Sequence, residues 1–306
     1  MSYIIGIDGG GTKTEAIAYT LEGQQLCRAL TGFGNVLMDK KEAIKNIITA
    51  IDECNLKIAN SLENNNCLAI YLGIAGGESE EVNSFVTRAL SDKYGVKVKL
   101  VNDAVIALAA LLKGEDGILT ISGTGSISYG ISQGKIKTAG GWGHLLGDEG
   151  SGYFIAIEAL KLMALDEDMD KKVSNLSKEL LRAMRVDNRK DIINFVYNQT
   201  KREIAALVPV VVSLAQQGDS EAIEILKRGG RELAKTTLIV YESLDFKGHV
   251  AIGIKGSILT KVSMVREEFE NTLKEKIGEF TIVNEEVSPT LGSYYMALKE
   301  LVNLTV

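Results

Sequence analysis

The 306-residue chain contains only two prolines, one tryptophan, two histidines and three cysteines. The cysteines, Cys27, Cys54 and Cys67, are odd in number, widely spaced and without a CxxC motif. This pattern argues against a disulfide framework, a zinc site and an iron–sulfur cluster held by cysteines of one chain. It indicates free thiols in a reducing cytosol.

Long apolar runs and an excess of basic residues are also missing. The longest apolar runs, near 104–112 and 205–214, are far shorter than the roughly 20 residues that cross a bilayer. The N-terminus lacks the basic start and apolar core of a signal peptide. With 34 Lys and Arg against 40 Asp and Glu, the chain offers nucleic acid no basic surface. We therefore expect a cytoplasmic protein that binds neither membranes nor nucleic acid.

The chain does contain 31 glycines, and its length is close to that at which one core splits into two domains. Apolar segments at 3–7, 14–19 and 25–30 alternate with turns and predict a three-stranded meander. Segments at 117–121, 126–131 and 135–139 repeat this pattern, and Ser122 takes the place of Asp8. The repeat predicts two similar α/β domains, residues 1–115 and 116–306. The second would hold a helical insertion at about 150–244, and the last helix, about 291–306, could pack back on the first.

Each predicted meander has a glycine-rich turn, Gly9-Gly10-Gly11-Thr12 in the first and Gly123-Thr124-Gly125 in the second. The first turn nearly matches a Walker A loop, but Thr12 stands at the lysine position and a strand follows it. Backbone N–H groups of such turns can bind phosphate oxygens, and Asp8 could bind Mg²⁺. Two ordinary hairpins are the alternative, but the pairing favours two turns that bind one polyphosphate across a cleft.

Asp103 lies at the carboxyl end of a predicted strand and opens an apolar helix. Open α/β sheets present their ligands at this edge, so Asp103 is a candidate catalytic carboxylate. The competing interpretation is a helix N-cap, for which Asp is a favoured residue.

The densest glycine segment, 140–153, contains six glycines in fourteen residues. Asp148 and Glu149 are acceptors suited to sugar hydroxyls, and the helix after Ser151 is expected to offer a positive N-terminus. Trp142 could stack on a sugar or anchor the loop, and His144 could contact a ligand or be structural. A glycine-rich surface loop without a ligand is the alternative.

These motifs, in this order and at this spacing, resemble those of the N-acetylglucosamine kinases, in the group shared with the BadF/BadG-type ATPases. That group belongs to the actin, Hsp70 and sugar-kinase superfamily. The resemblance implies two ribonuclease-H-like (actin-like ATPase) domains with a duplicated βββαβαβα core around a central cleft. It implies ATP and Mg²⁺ as cofactors, a small sugar as substrate, and a homodimer.

The resemblance also implies roles for individual residues. Asp103 would be the general base on the sugar 6-hydroxyl, and Asp8 would position Mg²⁺. The residues implied in nucleotide binding are Gly10, Gly11, Thr12, Lys13, Gly123, Thr124, Gly125, Gly218, Gly256 and Ser257. The residues implied in sugar binding are Asn35, Gly76, Asp103, Ser126, Gly141, Trp142, Gly143, His144 and Asp148. Lys255 departs from the small residues that many relatives have beside Gly256, which leaves the nucleotide preference open.

The function implied is ATP-dependent phosphorylation of N-acetylglucosamine, N-acetylmuramic acid or both at the 6-hydroxyl. A glucosamine kinase is one alternative. Another is a BadF-type ATPase or activator without a sugar substrate, although such activators hold an iron–sulfur cluster between two subunits. A third is a sugar-binding regulator without catalytic activity.

Overall fold

A computed structural model describes residues 1–61, 64–74, 77 and 79–303. The chain divides into two compact units, one formed by residues 1–115 with 285–306 and the other by residues 116–284. Within the described ranges, no helix has both the length and the apolar character needed to cross a membrane.

The strands of the described residues form two five-stranded sheets, one in each unit. Their bounds are β1 Ser2–Gly9, β2 Thr14–Thr20, β3 Gln25–Thr31, β4 Asn66–Ile74, β5 Lys97–Val101, β6 Gly117–Ser122, β7 Ser126–Ser132, β8 Lys135–Gly140, β9 Val250–Lys255 and β10 Phe280–Val283.

The helices of the described residues cover the faces of these sheets and the region between β8 and β9. Their bounds are α1 Lys40–Ser61, α2 Glu80–Tyr94, α3 Asp103–Leu111, α4 Gly152–Asp168, α5 Asn175–Met184, α6 Arg189–Asn198, α7 Lys201–Ala205, α8 Val208–Gln216, α9 Ser220–Ser243, α10 Ser257–Lys261, α11 Ser263–Lys274 and α12 Thr290–Asn303.

The two sheets have the same topology. The first has the order β3-β2-β1-β4-β5 and the second the order β8-β7-β6-β9-β10. In each, three strands form an antiparallel meander, and two later strands run parallel to its first strand. The predicted internal repeat and the α/β fold class are therefore confirmed.

Strand β1 packs against helices on both faces of the first sheet. Tyr3, Ile5 and Ile7 join the core beneath α1, whereas Ile4 lies in the core formed with α12. Side chains alternate along a strand, so Gly6 faces the same side as Ile4. A Cβ on Gly6 would lie 2.3 Å from the carbonyl oxygen of Thr290, and α12 therefore comes this close only because residue 6 is glycine.

Polar contacts hold both ends of α12 against the rest of the first unit. At its start, the hydroxyls of Thr290 and Tyr19 are hydrogen-bonded at 2.7 Å. At its end, the Glu300 carboxylate accepts hydrogen bonds from Tyr71, Lys97 and Lys99. The bonds from Lys97 and Tyr71 are the main causes that lower the pKa of Glu300 from 4.5 to about 2.

We predict that Glu300→Gln lowers the thermal unfolding midpoint at pH 7 and has little effect at about pH 2. A carboxylate whose pKa falls on folding contributes stability above its unfolded pKa of 4.5. That contribution is lost as the pH falls toward about 2. Calorimetry of both proteins between pH 7 and pH 2 checks this, with exposed Glu285→Gln as the control. An equal shift at both ends of the pH range would contradict it.

Candidate active site

In the first unit, three strand ends align at the carboxyl edge of the sheet. Asp8 of β1 pairs with Gly73 of β4, and Gly73 pairs with Val101 of β5. Asp103 follows two residues beyond Val101. Neighbouring strands lie about 4.8 Å apart, so the backbones at Asp8 and Val101 are separated by roughly two strand spacings, and Asp103 follows at the same edge.

The N-cap of α3 is Asn102 rather than Asp103. The side-chain oxygen of Asn102 accepts a hydrogen bond from the Ala104 N–H at 2.8 Å, the geometry of a helix cap. Asp103 is the first helical residue, half-buried, and its Oδ1 shares the same N–H at 2.9 Å. Because Asn102 fills the cap, helix initiation alone does not account for a carboxylate at position 103.

The first glycine turn is joined to the loop that carries Asn35. The Gly10 N–H donates to the Lys13 carbonyl at 3.0 Å, which closes the turn. The Gly10 carbonyl accepts from the N–H groups of Gly34 and Asn35 at 2.9 and 3.2 Å. The predicted phosphate turn and the predicted sugar residue Asn35 are thus held together, while Thr12 and Lys13 are exposed.

The second glycine turn is one residue shorter than the first. In the first unit Gly9 pairs with Thr14, whereas in the second Ser122 pairs with Ser126. The Gly123 N–H donates to the Gly125 carbonyl at 2.9 Å, and Thr124 is exposed at the tip.

Asp148 supports this second turn from beneath. Its side chain is only 4% exposed, and its Oδ1 accepts from the Ser126 N–H at 3.0 Å. Its Oδ2 is ion-paired with Lys201, the first residue of α7. The Ser126 hydroxyl donates to the Glu149 carbonyl at 2.7 Å, so the 140–153 segment and the turn form one hydrogen-bonded structure.

Three glycines of the two turns differ in what the fold requires of them. A Cβ on Gly125 would lie 2.5 Å from Lys201 Nζ and 2.8 Å from Asp148 Oδ1, so the ion pair requires glycine there. A Cβ on Gly11 or Gly123 would meet nothing within 4 Å, and neither residue has a positive φ. Backbone at these two positions is open to a ligand that approaches closely, as phosphate oxygens do.

The expectation that α4 offers a positive N-terminus to a ligand is wrong. The N–H groups of Gly152 and Tyr153 donate to the carbonyls of Gly123 and Thr124 at 2.7 and 3.3 Å. The Phe154 N–H donates to the Ser151 hydroxyl at 3.2 Å. The first turn of α4 therefore uses its donors to hold the glycine turn in place.

The loop before α4 presents its aromatic side chain outward. Trp142 is 74% exposed, and Gly141 and Gly143 on either side of it have positive φ. His144 packs edge-on against Tyr153 with ring centroids 4.9 Å apart, which favours the structural interpretation of this histidine. Trp142 lacks such an anchor role and is available for stacking.

A cavity of about 470 Å³ lies in the second unit beside the glycine turn. Such a volume suits a small organic ligand of nucleoside size. It brings together three residues predicted to bind nucleotide, Gly123, Thr124 and Ser257. The remaining lining residues are Gly152, Arg202, Ala205, Ala206, Val208, Pro209, Val212, Ile258, Lys261 and Val262.

Gly256 fixes the geometry at the base of this cavity. Its φ is +85°, and a Cβ there would lie 2.2 Å from the Ser122 carbonyl oxygen. The start of α10 is thereby brought against the glycine turn, with Ser257 facing the cavity. Gly218 does not line this cavity. It follows the C-terminal end of α8, whereas the N-terminal half of that helix lines the cavity. Gly76 lies outside the described residues.

Sequence reasoning missed Lys201 and most of the cavity wall. Most of these residues come from α7, α8 and α10, and several lie within the apolar run at 205–214, which by itself does not indicate a cavity. One local signal was present: Thr200 and Glu203 form a capping box that starts α7 at Lys201. It predicts where the helix begins, but not that Lys201 reaches Asp148.

The donor set around Asp8 fits Mg²⁺ bound mainly by other oxygens. Among the described residues, no group of three or more His, Cys, Asp or Glu side chains could hold a metal. Glu15, which pairs with Asp8 across the hairpin, is committed to Arg28 and Ser288. Mg²⁺ commonly binds through one or two carboxylates, water and substrate phosphates, and Asp8 can supply one carboxylate.

Comparison with known proteins shows the family of this chain. The model of the BadF/BadG/BcrA/BcrD ATPase family matches residues 5–297. The chain belongs to this family. It is 35% identical to the N-acetylmuramic acid/N-acetylglucosamine kinase of Clostridium acetobutylicum, over 98% of this chain and 99% of that protein. It is 29% identical to the N-acetyl-D-glucosamine kinase of Dictyostelium discoideum, over 96% and 97%.

A solved structure from Chromobacterium violaceum, proposed to be an N-acetylglucosamine kinase, has the same fold. The TM-score between that structure and this chain is 0.69 at 23% sequence identity. The match covers 97% of this chain and 98% of the other.

We predict that Lys201→Met destabilises the second unit by about 1–3 kcal/mol, because it leaves the buried Asp148 carboxylate without its cation. The double variant Lys201→Met/Asp148→Asn should recover much of this loss, since a neutral amide is cheaper to leave there. Urea denaturation of both variants measures the change, with exposed Lys190→Met as the control. A double variant no more stable than Lys201→Met would contradict the coupling.

Proposed function

We propose that this protein transfers the γ-phosphoryl group of ATP to the 6-hydroxyl of an amino sugar, with N-acetylglucosamine and N-acetylmuramic acid as the first candidates. The observation that carries the proposal is the edge of the first sheet, along which Asp8, the triple-glycine turn with the bound Asn35 loop, and Asp103 all lie. Membership of an ATPase family and the names of the two curated relatives support it.

Asp103 is the proposed general base. Phosphoryl transfer relies mainly on alignment and charge neutralisation, so a base needs only to orient the hydroxyl and accept its proton. A half-buried carboxylate at the carboxyl end of β5, not required as the cap of α3, suits that task. Mg²⁺ held by Asp8 and the phosphates would neutralise negative charge on the transferred group.

The nucleotide is assigned to the second unit. Its base and ribose would occupy the cavity of about 470 Å³, against the apolar wall of α7, α8 and α10. The N–H groups of Thr124 and Gly125 at the cavity edge would then lie near the phosphates, and Arg202 and Lys261 would add positive charge.

In the second unit, sugar binding is assigned to Ser126, Asp148 and the exposed Trp142. Trp142 can stack on the apolar face of a pyranose ring. Asp148 is buried and held by the Ser126 N–H and Lys201, so its role would be to fix the position of Ser126 toward the sugar.

The proposal is tested by measuring ADP formation from Mg-ATP with N-acetylglucosamine, N-acetylmuramic acid, glucosamine and glucose. We expect ADP formation with at least one of the two N-acetylated sugars. Selective turnover of glucosamine would support the glucosamine kinase instead. ATP hydrolysis that no sugar stimulates would support an ATPase without a sugar substrate, and sugar binding without turnover would support a regulator.

We predict that Asp103→Asn lowers kcat by about 10²–10⁴-fold, as expected for loss of a general base. The amide oxygen can still accept from the Ala104 N–H, so the thermal midpoint should stay close to that of the wild type. Glu22→Gln, at an exposed turn, is the control. A variant that keeps most of its activity would remove Asp103 from the mechanism without affecting the assignment of the substrate.

We predict that Val212→Trp raises the KM for ATP by roughly tenfold or more and leaves the KM for the sugar nearly unchanged. A bulky side chain in the cavity would compete with the nucleoside at an overpacking cost of about 1–3 kcal/mol, and 1.4 kcal/mol is tenfold in affinity. Ser213→Trp, the next residue of α8 and exposed, is the matched control. Equal effects of the two variants would place the nucleotide elsewhere.

A further inference from the structure

Two of the three cysteines, 27 residues apart in sequence, are neighbours in the first unit. Cys27 lies on β3, at the edge of the sheet, and Cys54 lies on α1, which packs over it. The Cys27 thiol is partly exposed, whereas Cys54 is buried. The third cysteine, Cys67 on β4, has its thiol directed to the Ala69 carbonyl at 3.7 Å.

Hydrogen bonds hold the two thiols in one polar cluster. The Cys27 thiol is 3.5 Å from the Cys54 carbonyl oxygen, and the Cys54 thiol is 3.5 Å from the Ala16 carbonyl oxygen. The Cys27 sulfur therefore lies against the backbone of the residue that bears the second thiol. A partly exposed thiol with a second thiol at its side is the arrangement found in cysteines that oxidise reversibly.

The surroundings shift the pKa values of the two thiols in opposite directions. The hydrogen bond from Cys54, with help from the Ala18 backbone and the Lys57 ammonium, outweighs burial and lowers the pKa of Cys27 to about 7. The same hydrogen bond, together with burial, raises the pKa of Cys54. Burial raises the pKa of Cys67 to about 11. The phenol of Tyr3 also lies near all three thiols, and its pKa is raised to about 12 mainly by burial.

We propose that Cys27 is a site of reversible oxidation by peroxides, with Cys54 as its resolving cysteine. The Cys27 thiolate attacks one oxygen of a hydroperoxide, the O–O bond breaks, and Cys27 becomes a sulfenic acid. The second oxygen leaves as hydroxide or alkoxide and takes up the proton that the Cys27 thiol had released to water, which gives water or an alcohol. The Cys54 sulfur then attacks the Cys27 sulfur, the S–O bond breaks, and the hydroxide leaves with the Cys54 proton as water. One peroxide is reduced and two thiols become one disulfide.

The link would join β3 to α1, the two elements that flank the loop of Asn35. Near that loop, Thr31 and Phe33 are already tied to Asn46 of α1 by hydrogen bonds of 2.9 Å. A covalent bond about two helical turns further along α1 would restrict the separation of β3 and α1. The modification itself does not depend on the proposed kinase activity.

The test treats the full-length protein with hydrogen peroxide at pH 7, blocks remaining thiols with iodoacetamide, and maps the peptides by mass spectrometry without reduction. We expect a Cys27–Cys54 crosslink, the loss of two hydrogen atoms per chain, an alkylated Cys67, and reversal by dithiothreitol. Cys67→Ser is the matched control and should form the same crosslink.

Two further measurements make the assignment sharper. In Cys54→Ser, the sulfenic acid should persist and be trapped on Cys27 by dimedone. In the untreated wild type, Cys27 should react with iodoacetamide at pH 7 at least about tenfold faster than Cys67. Equal reactivity of Cys27 and Cys67, or crosslinks formed only between chains, would overturn the proposal even if Cys54→Ser fails to fold.

Discussion

Strand β1 is buried on both faces, and its alternation of side chains organises the first unit. The face that packs against α1 must be apolar. On the other face, position 6 must be glycine, because a side chain there would collide with α12. The strand then ends at Asp8, at the edge where β4 and β5 also end. A register shift of one residue would exchange the two faces and bury Asp8 beneath α1. The position of the candidate catalytic edge is therefore a consequence of core packing.

Features that depend on local chain chemistry could be predicted from the sequence. The two meanders were predictable because alternating apolar residues and glycine turns specify hairpins over a few residues. Asp103 was predictable as an edge residue because it directly follows a strand. The same sequence contained Asn102, and only the structure shows that Asn102 fills the cap.

Features that depend on contacts distant in sequence could not be predicted. Lys201 is 53 residues from Asp148, and no periodicity links the two positions. The cavity beside the second glycine turn needs residues from three short helices, whose relative positions are set by packing. The prediction for the N-terminus of α4 fails for the same reason. The sequence indicates where the helix begins, but not that the carbonyl groups of the glycine turn accept hydrogen bonds from its first N–H groups. Cys27 and Cys54 likewise became a pair only through the packing of α1 on β3.

The close approach at Gly125 also has an evolutionary consequence. A side chain at this position would collide with both members of the Asp148–Lys201 pair. Substitution of Gly125 is therefore tolerable only after the pair has been lost or moved, and a lysine introduced at 201 has a partner only if residue 148 is acidic. Positions 125, 148 and 201 should change together among diverging descendants of this chain, although they lie in three separate segments of it.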